Sequence, residues 1–174
     1  IGKHVDRIRI MAYDYSTERP GPIAPLAWVR STVKAAKKAV GDDSKIVLGI
    51  PLYGRNWVVS TTGTCPADAP GKVDPNLREV AALLVPYGAT AVRDEDTQES
   101  TFTYQRESSD GTNSCVQTRQ VHFMDPAGVR ARVDVAREQR IGGVVLWALG
   151  YDTEAEWAAV VDVARPRGIV VPTG

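Results

Sequence analysis

Gly142-Gly143-Val144-Val145-Leu146-Trp147-Ala148-Leu149-Gly150-Tyr151-Asp152 is an apolar run opened by two glycines and closed by a turn. Both of its faces are apolar, the pattern of a parallel strand covered on both sides. Thr153-Glu154-Ala155-Glu156 follows directly and reads as a capping box at a helix start. Strand followed by helix is one βα unit. A tryptophan near the carboxyl end of such a strand stands where α/β proteins display side chains to a ligand. Two further stretches have the same character: Val5 to Tyr15, with Met11-Ala12-Tyr13-Asp14-Tyr15, and Ile46 to Trp57, with Gly49-Ile50-Pro51-Leu52-Tyr53-Gly54-Arg55-Asn56-Trp57.

Alternation in the first stretch puts Ile8, Ile10 and Ala12 on one face and Arg9, Met11 and Tyr13 on the other. Arg, Met and Tyr together suit the inside of a barrel near its mouth. Asp14 has the wrong parity to join Tyr13, and can share a site with it only if the strand end is irregular. Pro25 starts a helix that reaches Val40 and stops at Gly41, with Leu26, Val29, Val33 and Ala36 as its apolar stripe. In the strand Ile46 to Trp57, Gly49, Pro51, Tyr53 and Arg55 share a face, and the proline marks a strand end.

Residues 58–124 break this rhythm. Ser, Thr and Gly residues lead to a short helix opened by Asp74-Pro75. Strands are expected over Ala89 to Arg93, Thr101 to Gln105 and Cys115 to Phe123, with Asp110-Gly111 as a hairpin turn. The acidic cluster Asp94, Glu95, Asp96 and Glu99 reads as a solvated loop rim. The rhythm resumes at Asp125-Pro126, an N-cap followed by a first-turn proline. That helix ends near Arg140, the strand 142–149 follows, and a last helix over about 154–165 is expected to bury Trp157 with Val160 and Val161. The order is that of consecutive βα units of a parallel α/β fold with a small α+β insertion.

With 21 basic and 21 acidic residues the 174-residue chain has no net charge, so there is no electrostatic case for nucleic acid or an anionic membrane as partner. No apolar run approaches the ~20 residues of a membrane helix. The chain opens on Ile1 and reads as a piece of a longer polypeptide, so the lack of a visible signal peptide is silent on secretion. Cys65 and Cys115 are the two cysteines. Two buried free thiols are the common arrangement, but both lie in polar, turn-rich surroundings and read as a disulfide. It would close a loop of ~50 residues, contribute about 4 kcal/mol in the chain-entropy model, and favour an oxidising compartment. His4 and His122 are too scattered from the cysteines to form a metal site.

Taken together, Met11-Ala12-Tyr13-Asp14-Tyr15, Gly49 to Trp57 and Gly142 to Asp152 resemble strands six, seven and eight of the family-18 glycoside hydrolases, the chitinase class. Thr101-Phe102-Thr103-Tyr104 and His122-Phe123-Met124-Asp125 resemble the α+β insertion that follows strand seven in that family. The resemblance implies part of a (β/α)8 TIM barrel: residues 1–57 carrying strands six and seven, 58–124 the insertion, and 125–174 helix seven, strand eight and helix eight. It also implies cleavage of β-1,4-linked N-acetylglucosamine glycans, of chitin or peptidoglycan type, with no cofactor. In that mechanism the sugar's own acetamido oxygen attacks the anomeric carbon.

By the same resemblance Tyr13 and Asp14 are catalytic. Tyr13 aligns the acetamido group, and Asp14 bonds the same region or the neighbouring acid. Met11 packs beneath them, Tyr53 and Arg55 contact sugar hydroxyls, Trp147 is an apolar floor for the ring, and Trp57 extends the platform. The family's Asp-x-x-Asp-x-Asp-x-Glu run, which supplies the proton donor on strand four, does not occur in these residues. The chain is therefore expected to carry half of a site, to be inactive alone, and to pair with the missing half-barrel or a second copy. A secreted or cell-envelope location is expected. The alternative is a non-catalytic, chitinase-like carbohydrate-binding protein.

Overall fold

The computed structural model describes residues 2–164. Two sheets organise them. The first is parallel, in the order β1 (Ile8–Ile10), β2 (Ile46–Pro51), β7 (Gly143–Trp147). Its register pairs Ile10 with Leu48 and Pro51 with Trp147, so β2 and β7 finish level while β1 ends beside Leu48 and its chain continues past it toward the same end of the sheet. Helices α1 (Leu26–Val40) and α3 (Pro126–Glu138) cover one face. Ile46, Leu48 and Ile50 point into that layer with Val29, Val33 and Val129 and are almost fully buried. Each such side chain contributes about 1.5–3 kcal/mol by leaving water. α1 ends as its sequence dictates: Gly41 takes a left-handed φ of 74°, and its N–H donates to Lys37 O at 3.1 Å.

The second sheet is antiparallel, in the order β3 (Arg55–Gly63), β6 (Ser114–Phe123), β5 (Glu99–Ser109), β4 (Val92–Asp94). Helix α2 (Leu77–Leu84) packs against it, opened by a capping box between Asn76 and Glu79. β5 and β6 form the expected hairpin; Asp110 Oδ1 accepts from the N–H groups of Thr112 and Asn113 at 2.8 and 2.7 Å. Just past β3, Cys65 is joined to Cys115 of β6 by a disulfide, with Cα atoms 4.7 Å apart.

Several expectations need correction. The stretch from Ile46 to Trp57 is two strands. Pro51 ends the parallel ladder, and the chain turns at Gly54, where a Cβ would come within 2.9 Å of Val80 Cγ2 and 3.0 Å of His122 O. Arg55 then enters the antiparallel sheet. The Ser, Thr and Gly residues after Trp57, to which the sequence pattern assigns no strand, form the outer half of β3, paired along their length with β6. Glu99 is no loop rim: it is 2% exposed, accepts from the N–H groups of Ile23 and Ala24 at 2.8 and 2.6 Å, and pairs with Arg132.

The last helix, α4 (Glu154–Ala164), keeps the Thr153–Glu156 capping contact but not the expected face. Trp157 is 41% exposed, because its indole N–H donates to Asp152 Oδ2 at the helix entrance. Val161 is exposed as well, and Glu156 is buried. The final residue of the expected helix, 165, and the rest of segment 125–174 beyond it lie outside the described residues.

Asp125 ties the two sheets together. It caps α3 through Gly128 N at 2.6 Å, accepts from Ser100 Oγ at 2.7 Å and pairs with Arg93. Burial alone would raise its carboxyl pKa, but these donors outweigh it and hold the pKa below the usual range. A depressed folded-state pKa contributes stability that is present above the unfolded value and lost as pH falls through the folded one. Asp125→Ala should cost about 1–2 kcal/mol at neutral pH. Denaturant titrations should show that difference shrinking in acid.

Candidate active site

At the carboxyl ends of β1, β2 and β7 lies a cavity of about 390 Å³. It is walled by Met11, Tyr13 and Asp14 after β1, by Tyr53 and Arg55 after β2, and by Trp147 at the end of β7. Six of the seven residues singled out in the sequence for catalysis or binding thus meet at one place. The seventh, Trp57, does not line the cavity: it is 6% exposed on β3, and the Lys72 ammonium lies over its ring at 5.1 Å from the centroid. Asp74 and Tyr151 complete the wall and were not singled out. Tyr151 closes the apolar run already quoted. Asp74 had a signal only as a helix-start residue beside Pro75.

The parity problem of Asp14 is resolved by its backbone. Its φ is 63°, in the left-handed region that Asp tolerates better than most residues. Alternation breaks there, and Asp14 turns to the same cavity as Tyr13. Its Oδ1 accepts from both the Tyr53 hydroxyl and Arg55 Nη2. Arg55 also reaches Asp74 Oδ1 through Nη1 at 3.5 Å. Tyr13 and Tyr53 meet edge to face, ring centroids 6.3 Å apart. Gly49 of β2 makes room: a Cβ there would lie 2.9 Å from Tyr13 Cε1.

Electrostatics keep these groups in defined protonation states. Burial and the Asp14 charge both push the Tyr13 phenol upward. Tyr53 is raised further, by burial first and then by its bond to Asp14. Both stay protonated donors at neutral pH. Burial pulls the Arg55 guanidinium down, but its bond to Asp14 and the charges of Asp74 and Asp14 more than restore it. Tyr13 Oη has no protein acceptor among the described residues, so its proton is available to a ligand. Met11 and Trp147 are 73% and 58% exposed, a large apolar surface beside these polar groups. They also border a second, more apolar hollow of about 420 Å³, on the face of the parallel sheet away from α1 and α3.

A hydroxyl donor, a fixed carboxylate–guanidinium pair and an open indole form a cleft for a polar ring with one apolar face. The model of the family described as glycosyl hydrolases family 18 matches residues 1–152. The chain belongs to glycosyl hydrolase family 18. Its curated relatives include the cortical fragment-lytic enzyme of Bacillus anthracis, 29% identical over 92% of this chain and 35% of that protein. Another is the Nod factor hydrolase protein 1 of Medicago truncatula, 26% identical over 90% and 42%. Among solved structures, a chitinase from Chromobacterium violaceum superposes with a TM-score of 0.77 at 27% identity, covering 95% of this chain and 48% of that one. The chain therefore spans less than half the length of these relatives. The family fold is the (β/α)8 barrel, whose ligand cleft lies at the carboxyl ends of the strands. This cavity occupies that position.

Proposed function

We propose that this chain is the strand-six-to-eight part of a family-18 glycoside hydrolase barrel, with residues 58–124 forming most of an α+β insertion. The protein that contains it cleaves β-1,4-linked N-acetylglucosamine glycans by substrate-assisted, retaining hydrolysis. The observation that carries this reading is Asp14, whose Oδ1 accepts hydrogen bonds from both Tyr53 and Arg55 inside a cavity walled by Trp147.

In the proposed reaction the acetamido carbonyl oxygen of the bound sugar attacks its own anomeric carbon. The Tyr13 hydroxyl donates to that oxygen and holds it in line. Asp14, kept in place by Tyr53 and Arg55, stabilises the positive charge that develops on the acetamido nitrogen. Trp147 packs on the C–H face of the ring, and Met11 fills the space beneath. Water then opens the cyclic intermediate with net retention. The proton donor for the leaving sugar comes from outside this chain, on the strand-four segment of the missing half-barrel. The half-barrel, or a second copy of the chain, also covers β1, β7 and the exposed Met11 and Trp147. The Cys65–Cys115 disulfide supports a secreted or cell-envelope location.

The test is an assay on N-acetylglucosamine oligosaccharides. The 174-residue polypeptide alone should give no turnover, since loss of the general acid by itself costs about 10²–10⁴ in rate. The uninterrupted protein containing it should give turnover with retained anomeric configuration. Robust hydrolysis by the isolated chain, or inversion by the whole protein, would refute the assignment.

A further inference from the structure

We propose that Asp74 reads the charge of the incoming sugar, so that the cleft accepts neutral or amine-bearing hexosamines and rejects those carrying a carboxylate. This rests on the glycan reading above and narrows it. Asp74 lies on a segment that is stitched down along its length. Arg119, fully buried, donates to Pro70 O and Gly71 O at 2.8 and 2.6 Å. Val73 and Asn56 exchange backbone hydrogen bonds at 2.8 and 3.1 Å, and Gly54 N–H donates to Pro75 O at 2.7 Å. The carboxylate is thus presented from a fixed wall.

One of its oxygens is committed and the other is not. Oδ1 faces Arg55 Nη1 at 3.5 Å and Lys72 Nζ at 3.9 Å. Oδ2 has no hydrogen-bond partner among the described residues, and the side chain is 44% exposed at the cavity. The charges lining the cavity are Asp14, Asp74 and Arg55, two negative and one positive. Lys72 is outside the lining, drawn over the Trp57 ring. Among these lining residues the balance is one negative charge, and a ligand that reaches Asp74 meets the open acceptor Oδ2. A sugar hydroxyl or ammonium can donate to Oδ2; a lactyl ether carboxylate, as on the alternate sugars of peptidoglycan, meets like charge at that oxygen, which has no proton to give it.

The experiment uses the full-length protein containing this chain. Its binding is measured for a chitin tetrasaccharide, the fully deacetylated tetrasaccharide, and a tetrasaccharide of N-acetylglucosamine alternating with N-acetylmuramic acid. Neutral and amine-bearing ligands should bind, and the anionic one about 10–100-fold more weakly at low salt. Added salt should narrow the gap. Asp74→Asn keeps the shape and removes the charge, so the anionic-to-neutral ratio should move toward unity, while Lys72→Gln should widen it. A purely structural role for either residue would not move the ratio in opposite directions. If chitin oligosaccharide binds normally but Asp74→Asn leaves the ratio unchanged, or if the anionic ligand binds the parent as well as the neutral one, this inference falls alone. If none of the three ligands binds, the glycan reading falls and takes it along.

Discussion

Asp14→Ala in the full-length protein should lower kcat/KM on N-acetylglucosamine oligosaccharides by about 10²–10³-fold, the scale of losing one preorganised electrostatic partner of a transition state. Asp14 Oδ1 is the common acceptor for Tyr53 and Arg55. Without it the Tyr53 hydroxyl loses its acceptor, and among the described residues the buried guanidinium keeps Asp74 as its one carboxylate, at 3.5 Å. The negative charge that would face a developing cation beside Tyr13 is also gone. Asp14→Asn retains an acceptor oxygen and the side-chain shape, so it should fall between the parent and the alanine variant. Steady-state kinetics measures both. The loss should appear mainly in kcat, because the charge it removes matters only once positive charge develops. A pure rise in KM at constant kcat would mean that Asp14 merely binds the ground state.

Arg132→Met should destabilise the fold by about 3–5 kcal/mol, the cost of leaving one partner of a buried ion pair uncompensated. Arg132 is 1% exposed, and its guanidinium gathers carbonyl oxygens of Ala24, Thr97, Gln98 and Gly128 together with Glu99 Oε1. Burial draws it down to about 10, so it remains a cation at neutral pH. Glu99 is raised, chiefly by burial, although the Ile23 and Ala24 N–H groups and Arg132 oppose that. Removing the cation raises it further. For a carboxyl whose folded-state pKa lies above the unfolded one, the native state holds the proton after the unfolded chain has released it. Stability is then lost as pH rises between the two values. The deficit of Arg132→Met should accordingly be smaller at pH 5 than at pH 8 in chemical denaturation. An equal deficit at both would mean that Glu99 does not carry the burden.

The strand tips were legible because their chemistry is local. Glycines, a proline and large polar-tipped side chains cluster at the ends of apolar runs; that pattern marked the strand ends, and the family resemblance it carries implied that Met11, Tyr13, Tyr53, Arg55 and Trp147 share one site. Asp14 was legible only conditionally, since parity alone excludes it and a single positive φ brings it in. What stayed hidden depends on distant partners. The outer half of β3 is a strand because β6 lies beside it, and its Ser and Thr residues gave no such signal. Glu99 is indistinguishable from its acidic neighbours until Arg132, 33 residues later, is seen to face it. Trp157 looks like a core residue until Asp152 claims its N–H. Asp74 belongs to the cavity wall only because Asn56, Gly54 and Arg119 hold its segment there.

The polypeptide leaves one sheet at Pro51 and joins the other at Arg55, and the cavity's phenol and guanidinium ride on that crossing. An insertion borrowed from a relative could therefore not be transplanted as a cassette cut after Trp57. The splice would have to carry residues 52–57 and 70–77 together, since Gly54, Asn56 and Leu77 are laced across the seam. Lengthening the distal β5–β6 hairpin, by contrast, would leave the reacting groups where they stand, since none of its residues lines the cavity.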